Sequence, residues 1–195
     1  MSTPRSAAAQ PDFDQMYAAN PDPWGVETSW YERRKLTVLL ATLPREQYAT
    51  GWEPGCGPGI VSAALGLRVG DLVASDSSAT AIQLARQRPG LPDGVRLVES
   101  GLPSVPVDSP VDLVVVAEFL YYVPDLAGAL DAIWSATHPG THVVFMHWAH
   151  QPHDAFRSGP HMHAEIGLDS LHRGAVRTIS HTDEDFLLDV YEVRG

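Results

Sequence analysis

Seven consecutive residues, Glu53-Pro54-Gly55-Cys56-Gly57-Pro58-Gly59, set an acid two positions before three alternating glycines. Glycines are needed where a ligand lies against backbone, because a Cβ would hold it off. Downstream, Asp76-Ser77, Ser100-Gly101 and Glu118 each follow a short apolar run. An acid such as Asp76, at the end of a second strand, can accept hydrogen bonds from two neighbouring hydroxyls, as on a ribose. The G-x-G-x-G spacing differs from the G-x-G-x-x-G dinucleotide pattern, so a pyrophosphate is not expected. Cys56 reads as a small residue in a crowded turn rather than as a nucleophile.

A second group of residues suits an acceptor. Tyr121 and Tyr122 come directly after the run that ends in Glu118, and each reads equally as core or as site wall. His147-Trp148 supplies an imidazole that titrates near neutrality, which makes His147 the first candidate for a base or acceptor contact. Tyr31 and Arg33-Arg34-Lys35 fall early on a helix, where Arg33 or Arg34 could pair with an anionic group. Trp24 sits in the turn Pro21-Asp22-Pro23-Trp24-Gly25 and could cover a pocket. His147, His150, His153, His161 and His163 invite a metal reading, but their spacing in a proline-containing loop defines no coordination shell, so no metal is expected.

These residues need a frame. Ser29 is a plausible N-cap with Glu32 at the capping-box position, and Leu36, Leu39, Leu40 and Leu43 follow at helical spacing until Pro44. A shorter helix precedes the Pro-rich turn. Beyond it, strands are expected at Thr50 to Pro54, Asp71 to Ser75, Val95 to Val98, Val111 to Ala117 and His142 to Met146. Helices are expected from Ile60, from Ala79 to Arg88 and from Leu126 to Thr137. Pro54 cannot donate to a central ladder, so the first strand must end or bend there. Leu113-Val114-Val115-Val116, apolar on both faces, marks a central parallel strand covered on both sides. After the loop Gln151 to Pro160 come a helix, His161 to Leu171, and two strands, Ala175 to Ser180 and Phe186 to Val193, read as a closing hairpin. The fold class is therefore α/β: Rossmann-like, doubly wound, mostly parallel, with seven strands, a C-terminal antiparallel hairpin and an N-terminal helical lid.

With 195 residues, the chain is expected to be one domain: a flexible tail over 1–10, the lid over 11–45 and the core over 50–195. A formal charge of −11 with a single lysine, Lys35, argues against nucleic acid, whose binding draws on clustered cations. No apolar run is long enough to span a bilayer, so no membrane role is expected. The lone cysteine and the absence of a signal-like start point to the cytoplasm. A homodimer is left open.

The motif E-x-G-x-G-x-G with the acids that follow resembles class I S-adenosylmethionine-dependent methyltransferases from about Gly51 to Phe145. A narrower resemblance is carried by Pro21-Asp22-Pro23-Trp24-Gly25, Trp30-Tyr31-Glu32-Arg33-Arg34-Lys35, Ala117-Glu118-Phe119-Leu120-Tyr121-Tyr122-Val123 and Asp183-Glu184-Asp185-Phe186-Leu187-Leu188, which look like the NodS-type methyltransferases. The resemblance implies S-adenosylmethionine as cofactor and a small polar acceptor methylated on N or O: an amino sugar, a phosphonate or another secondary metabolite. The cofactor would be met by Trp24, Arg34, Glu53, Gly55, Gly57, Gly59, Asp76, Ser77, Ser100, Gly101 and Glu118. The acceptor would meet Tyr31, Arg33, Tyr122, His147 and Trp148, with His147, Tyr121 and Tyr31 as the catalytic candidates. A non-catalytic sensor that binds the same cofactor is the alternative.

Overall fold

The apolar run Leu113 to Val116 is wholly buried because it forms the middle of a seven-stranded sheet, ordered β3-β2-β1-β4-β5-β7-β6. The strands are β1 (Tyr48–Pro54), β2 (Val69–Asp76), β3 (Val95–Glu99), β4 (Val111–Ala117), β5 (Thr137–Trp148), β6 (Ala175–Thr182) and β7 (Phe186–Val193). The helices are α1 (Phe13–Ala19), α2 (Trp30–Thr42), α3 (Ile60–Leu65), α4 (Ala79–Arg86), α5 (Leu126–Ser135) and α6 (Gly159–His172). This is a computed structural model, and it describes residues 11–195. The tail expected over 1–10 lies outside the described residues.

Strands β1 to β5 are parallel, and β7 pairs antiparallel with both β5 and β6. The hairpin thus enters the sheet with its second strand inside and its first at the edge. The expected α/β architecture and hairpin are both present. Alternation along the strands sorts two cores. Val114, Val116, Phe145 and Tyr191 face α5 and α6 through Ile133, Trp134 and Ile166. Leu113, Val115, Val144 and Val190 face the other way, towards Leu39 of α2 and Leu65 of α3.

Local signals set most boundaries. The Ser29 side chain accepts from Glu32 N and caps α2, as expected, and β1 ends at Pro54. One expectation fails: the helix read from Leu126 to Thr137 stops at Ser135, and Thr137 already belongs to β5, which is 12 residues long. The early part of β5, His138-Pro139-Gly140, interrupts the register with β4 between Val111 and Leu113. A proline and a glycine concealed the strand because neither favours an extended ladder. At its other end β5 runs on through His147 to Trp148, so His147 is a strand residue and does not follow the strand.

The cleft at the carboxyl ends of the strands

The order β2-β1-β4 reverses direction at β1, and a doubly wound sheet opens a crevice at that point. Here the crevice is a cleft of about 960 Å³, roofed by α1, the turn after it and the start of α2. Its deep end is built by the loop after β1. Gly55 and Gly57 have φ of 69° and 53°, and a Cβ on Gly55 would sit 2.5 Å from the ring of Phe119. On Gly57 it would meet the Tyr17 hydroxyl at 2.8 Å. The loop is clamped from below: Asp76 accepts from Gly57 N at 2.8 Å and from Ser78 N at 2.9 Å. Burial raises the pKa of Asp76, opposed by those backbone hydrogen bonds.

Glu53 lies beneath this loop, fully enclosed, and its Oε2 has no hydrogen-bond partner among the described residues. Burial pushes its carboxyl up to about 8, with Asp76 adding to the rise. A buried acceptor left unmatched is costly, and here it borders the cleft. Ser77, Ser100 and Gly101 complete this end.

The middle of the cleft turns on Glu118. It is the one non-glycine residue with positive φ among those described, at 62°, a conformation that costs about 1–3 kcal/mol unless its surroundings hold it. Three donors do so: Lys35 Nζ at 2.7 Å, the Tyr121 hydroxyl at 2.6 Å and Trp148 N at 3.0 Å. Lys35 also donates to Glu32, so a buried cation between two carboxylates ties α2 to the end of β4. Tyr121 is therefore engaged in holding Glu118, and burial followed by the Glu118 charge raises its pKa far above the usual phenol range. Tyr122 lines the outer half, its hydroxyl raised to about 12 by burial, then by Asp154 and Glu118.

Of the residues expected at the site, Trp24, Tyr31, Arg33, Glu53, Gly55, Gly57, Asp76, Ser77, Ser100, Gly101, Glu118, Tyr121, Tyr122 and Trp148 all line the cleft. Three do not, and each needs a correction. Arg34 turns away: it pairs with Asp183 and lies 5.6 Å over the Phe186 ring, on the hairpin side of α2. The helical step of about 100° per residue turns it away from both Arg33 and Lys35. Gly59 faces α4, where a Cβ would come within 3.1 Å of Ala85 Cβ. It serves helix packing and not the ligand surface.

His147 is the third. It is completely buried behind Tyr121, and its ring is edge-on to that residue at 5.6 Å. Asp189 takes a hydrogen bond from His163 Nδ1 at 2.7 Å, which leaves His163 Nε2 to accept from His147 Nδ1 at 3.2 Å. Burial, then His163, depresses the His147 pKa well below the ordinary value. Strand alternation puts Trp148 in the cleft and His147 under α6. The other histidines disperse: His150 meets Asp185 and His161 meets Glu165. No group of three or more His, Cys, Asp or Glu among the described residues is arranged to hold a metal.

Sequence reasoning expected a short helix before the Pro-rich turn but gave none of its residues a part in the site. Tyr17 covers Gly57, and Asp14 accepts from the Ser78 hydroxyl at 2.6 Å and from Thr80 N at 3.0 Å, fastening α1 to the start of α4. It also missed the Lys35 triad, for which Glu32 and Lys35 at i,i+3 were the available signal. Tyr31 offers its ring to the cleft while its hydroxyl donates to Asp185 O at 3.2 Å.

The family model described as Nodulation protein S matches residues 9–162. A Nodulation protein S of Rhizobium tropici is 31% identical over 128 residues, which are 64% of this chain and 54% of the relative. The chain thus spans about half the length of that curated relative. A Pseudomonas syringae protein of known crystal structure is 36% identical, with a TM-score of 0.71 over 84% of this chain and 99% of that one. The N-methyltransferase NodS of Bradyrhizobium japonicum WM9, solved with S-adenosyl-L-homocysteine, shares the fold at 24% identity and a TM-score of 0.76, covering 93% of this chain and 96% of that one.

Proposed function

The chain belongs to the Nodulation protein S family, and from that membership and the cleft we propose that it is a cytoplasmic, single-domain methyltransferase that uses S-adenosylmethionine to methylate the nitrogen of a small polar acceptor. The observation that carries the reading is the deep end of the cleft, where the Gly55 and Gly57 backbone, Asp76 and the unmatched Glu53 oxygen converge. Those residues fit this cofactor. A glycine cradle suits a ligand laid on backbone, Asp76 suits ribose hydroxyls, and a buried carboxyl oxygen without a partner suits the cofactor's positive charge. Ser77, Ser100 and Gly101 would border the far end of the cofactor.

When bound, the cofactor supplies an activated methyl on a sulfonium. The protein then has to align the acceptor and exclude water. Phe119, Tyr121, Tyr122 and Trp148 wall the cleft at that point, and α1 with α2 would act as the lid, Trp24 and Tyr31 on its inner face. Nitrogen is favoured over oxygen because none of Tyr31, Tyr121, Tyr122 and His147 is suited to remove a hydroxyl proton near neutrality. Tyr31, Tyr121 and Tyr122 all have raised pKa values, and His147 is out of reach. A free amine needs no base from the enzyme.

Calorimetry with S-adenosylmethionine, S-adenosylhomocysteine and NAD tests the cofactor. The first two should bind and NAD should not. Asp76→Ala should weaken binding by about 1.5–3 kcal/mol, as for a lost charged hydrogen bond. Unaltered affinity in that variant, or preference for NAD, overturns the assignment. Binding without any S-adenosylhomocysteine release across a panel of amines would favour the sensor alternative.

A further inference from the structure

Eight carboxylates line the cleft, and what each one touches separates them sharply. Glu27 is paired with Arg88 at 2.7 Å, and Glu32 and Glu118 share Lys35 at 2.8 and 2.7 Å. Asp22 accepts from Val26 N at 2.7 Å and Glu27 N at 3.1 Å, so it is spent on its own turn. Asp76 holds the glycine loop, and Asp125 caps α5 by accepting from Gly128 N at 3.0 Å. Two remain without a protein donor among the described residues. One is Glu53, at the cofactor end.

The other is Asp154, on the loop between β5 and α6. Its one ion-pair contact among the described residues is with the His153 ring, 4.0 Å away and 97% exposed, beyond hydrogen-bond reach and open to solvent. The Asp154 side chain is only 29% exposed. The loop that carries it is pinned, with Phe156 N donating to Tyr121 O at 2.9 Å and Arg157 donating to Pro124 O at 3.1 Å and to Val123 O. The aspartate lines the same cleft as Tyr122, whose hydroxyl is raised first by burial and then by the Asp154 charge. The cations of this wall, Lys35 and Arg33, are committed to Glu118 and to Thr28 O.

We infer that Asp154 is the specificity-determining residue of the acceptor site: its carboxylate holds the acceptor's amine as ammonium on arrival, and that nitrogen gives its proton to solvent before it takes the methyl, so that the chain selects amines over their uncharged or anionic analogues. A half-enclosed carboxylate next to aromatic faces is the arrangement that favours a cation over a neutral polar group. Of the other acids of the cleft, only Glu53 shares this lack of a donor, and it is enclosed at the cofactor end. The inference rests on the methyltransferase reading, because it takes the outer half of the cleft to be the acceptor's.

The test uses the full chain saturated with S-adenosylhomocysteine, titrated at neutral pH with ethanolamine, glucosamine and spermidine and with their N-acetylated forms. At least one amine should bind, and its N-acetyl counterpart should bind at least tenfold more weakly. Asp154→Asn should lower the amine's affinity tenfold or more, the loss of a charged hydrogen bond. It should leave S-adenosylhomocysteine affinity within about twofold, and Asp154→Glu should restore part of the difference. Equal amine binding by wild type and Asp154→Asn, or no amine binding to a protein that does take S-adenosylhomocysteine, overturns the inference and spares the cofactor assignment. Failure to bind S-adenosylhomocysteine overturns both.

Discussion

Lys35 donates to Glu118 across 2.7 Å, joining the first long helix to the only described non-glycine residue with positive φ. The contact spans the floor and roof of the cleft, and it predicts the effect of losing the cation. Lys35→Met should leave Glu32 and Glu118 facing one another in a half-buried space, at a cost of about 2–3 kcal/mol, below the range for a fully buried pair because both acids keep some water. Urea denaturation measures the loss. Because Glu118 would also release Trp148 N, cofactor affinity should fall in the same variant. Stability equal to wild type would mean that the triad contributes nothing net.

The glycines separate by what lies beyond their missing Cβ. Gly55→Ala should both destabilise and block the cofactor, since its Cβ would enter the Phe119 ring from a left-handed backbone that already disfavours a side chain by about 1–2 kcal/mol. Gly59→Ala carries the same backbone penalty at φ 77° but faces Ala85. It should melt earlier while binding S-adenosylhomocysteine, measured well below its melting temperature, as wild type does. Equal loss of affinity in the two variants would place Gly59 in the ligand surface after all.

Glu53 sets stability against binding. In the unfolded chain its carboxyl ionises near 4.5, whereas in the folded protein it keeps its proton to about 8. Between those values the folded state holds a proton that the unfolded state has released, so this group's contribution to stability falls as pH rises. Glu53→Gln removes that dependence. At pH 7 the cofactor-free variant should be more stable than wild type by on the order of 2 kcal/mol, with the gap closing towards pH 4.5. It should also bind S-adenosylmethionine less well. A variant that is no more stable at pH 7 than at pH 4.5, relative to wild type, would contradict the buried-acid account.

His147 titrates in the opposite sense. Unfolded, it gains a proton below about 6.5; folded, burial and His163 keep it neutral well below that. The unfolded state therefore binds the extra proton as pH drops, and stability is lost below 6.5. His147→Gln can still donate to His163 but cannot titrate. Its stability should fall less steeply between pH 6.5 and 5 than that of wild type, by up to about 1.4 kcal/mol per pH unit. Parallel pH curves would show that His147 is protonated in the native protein.

The sequence by itself determined the alternation of strands and helices, the site's place after β1, and the residues of its deep end. Those signals are local: an apolar run, a proline that must end a strand, and glycines whose spacing is read directly. It also carried the caps, as at Ser29. What it did not carry was direction. Arg33, Arg34 and Lys35 are adjacent in the chain, yet Arg33 lines the cleft, Arg34 reaches the hairpin and Lys35 is buried in the cleft wall between two acids. Likewise His147 and Trp148 go to opposite faces of β5. Neighbouring side chains diverge by 100° on a helix and by 180° on a strand, so a role assigned to a run of residues holds for only part of it. Which part was decided by partners 83 positions away for Lys35 and 26 away for His163, with Glu118 and Asp189 brought into reach only when the sheet assembled. The distinction between a carboxylate that has a donor and one that has none, on which Glu53 and Asp154 stand apart, exists only in the folded chain.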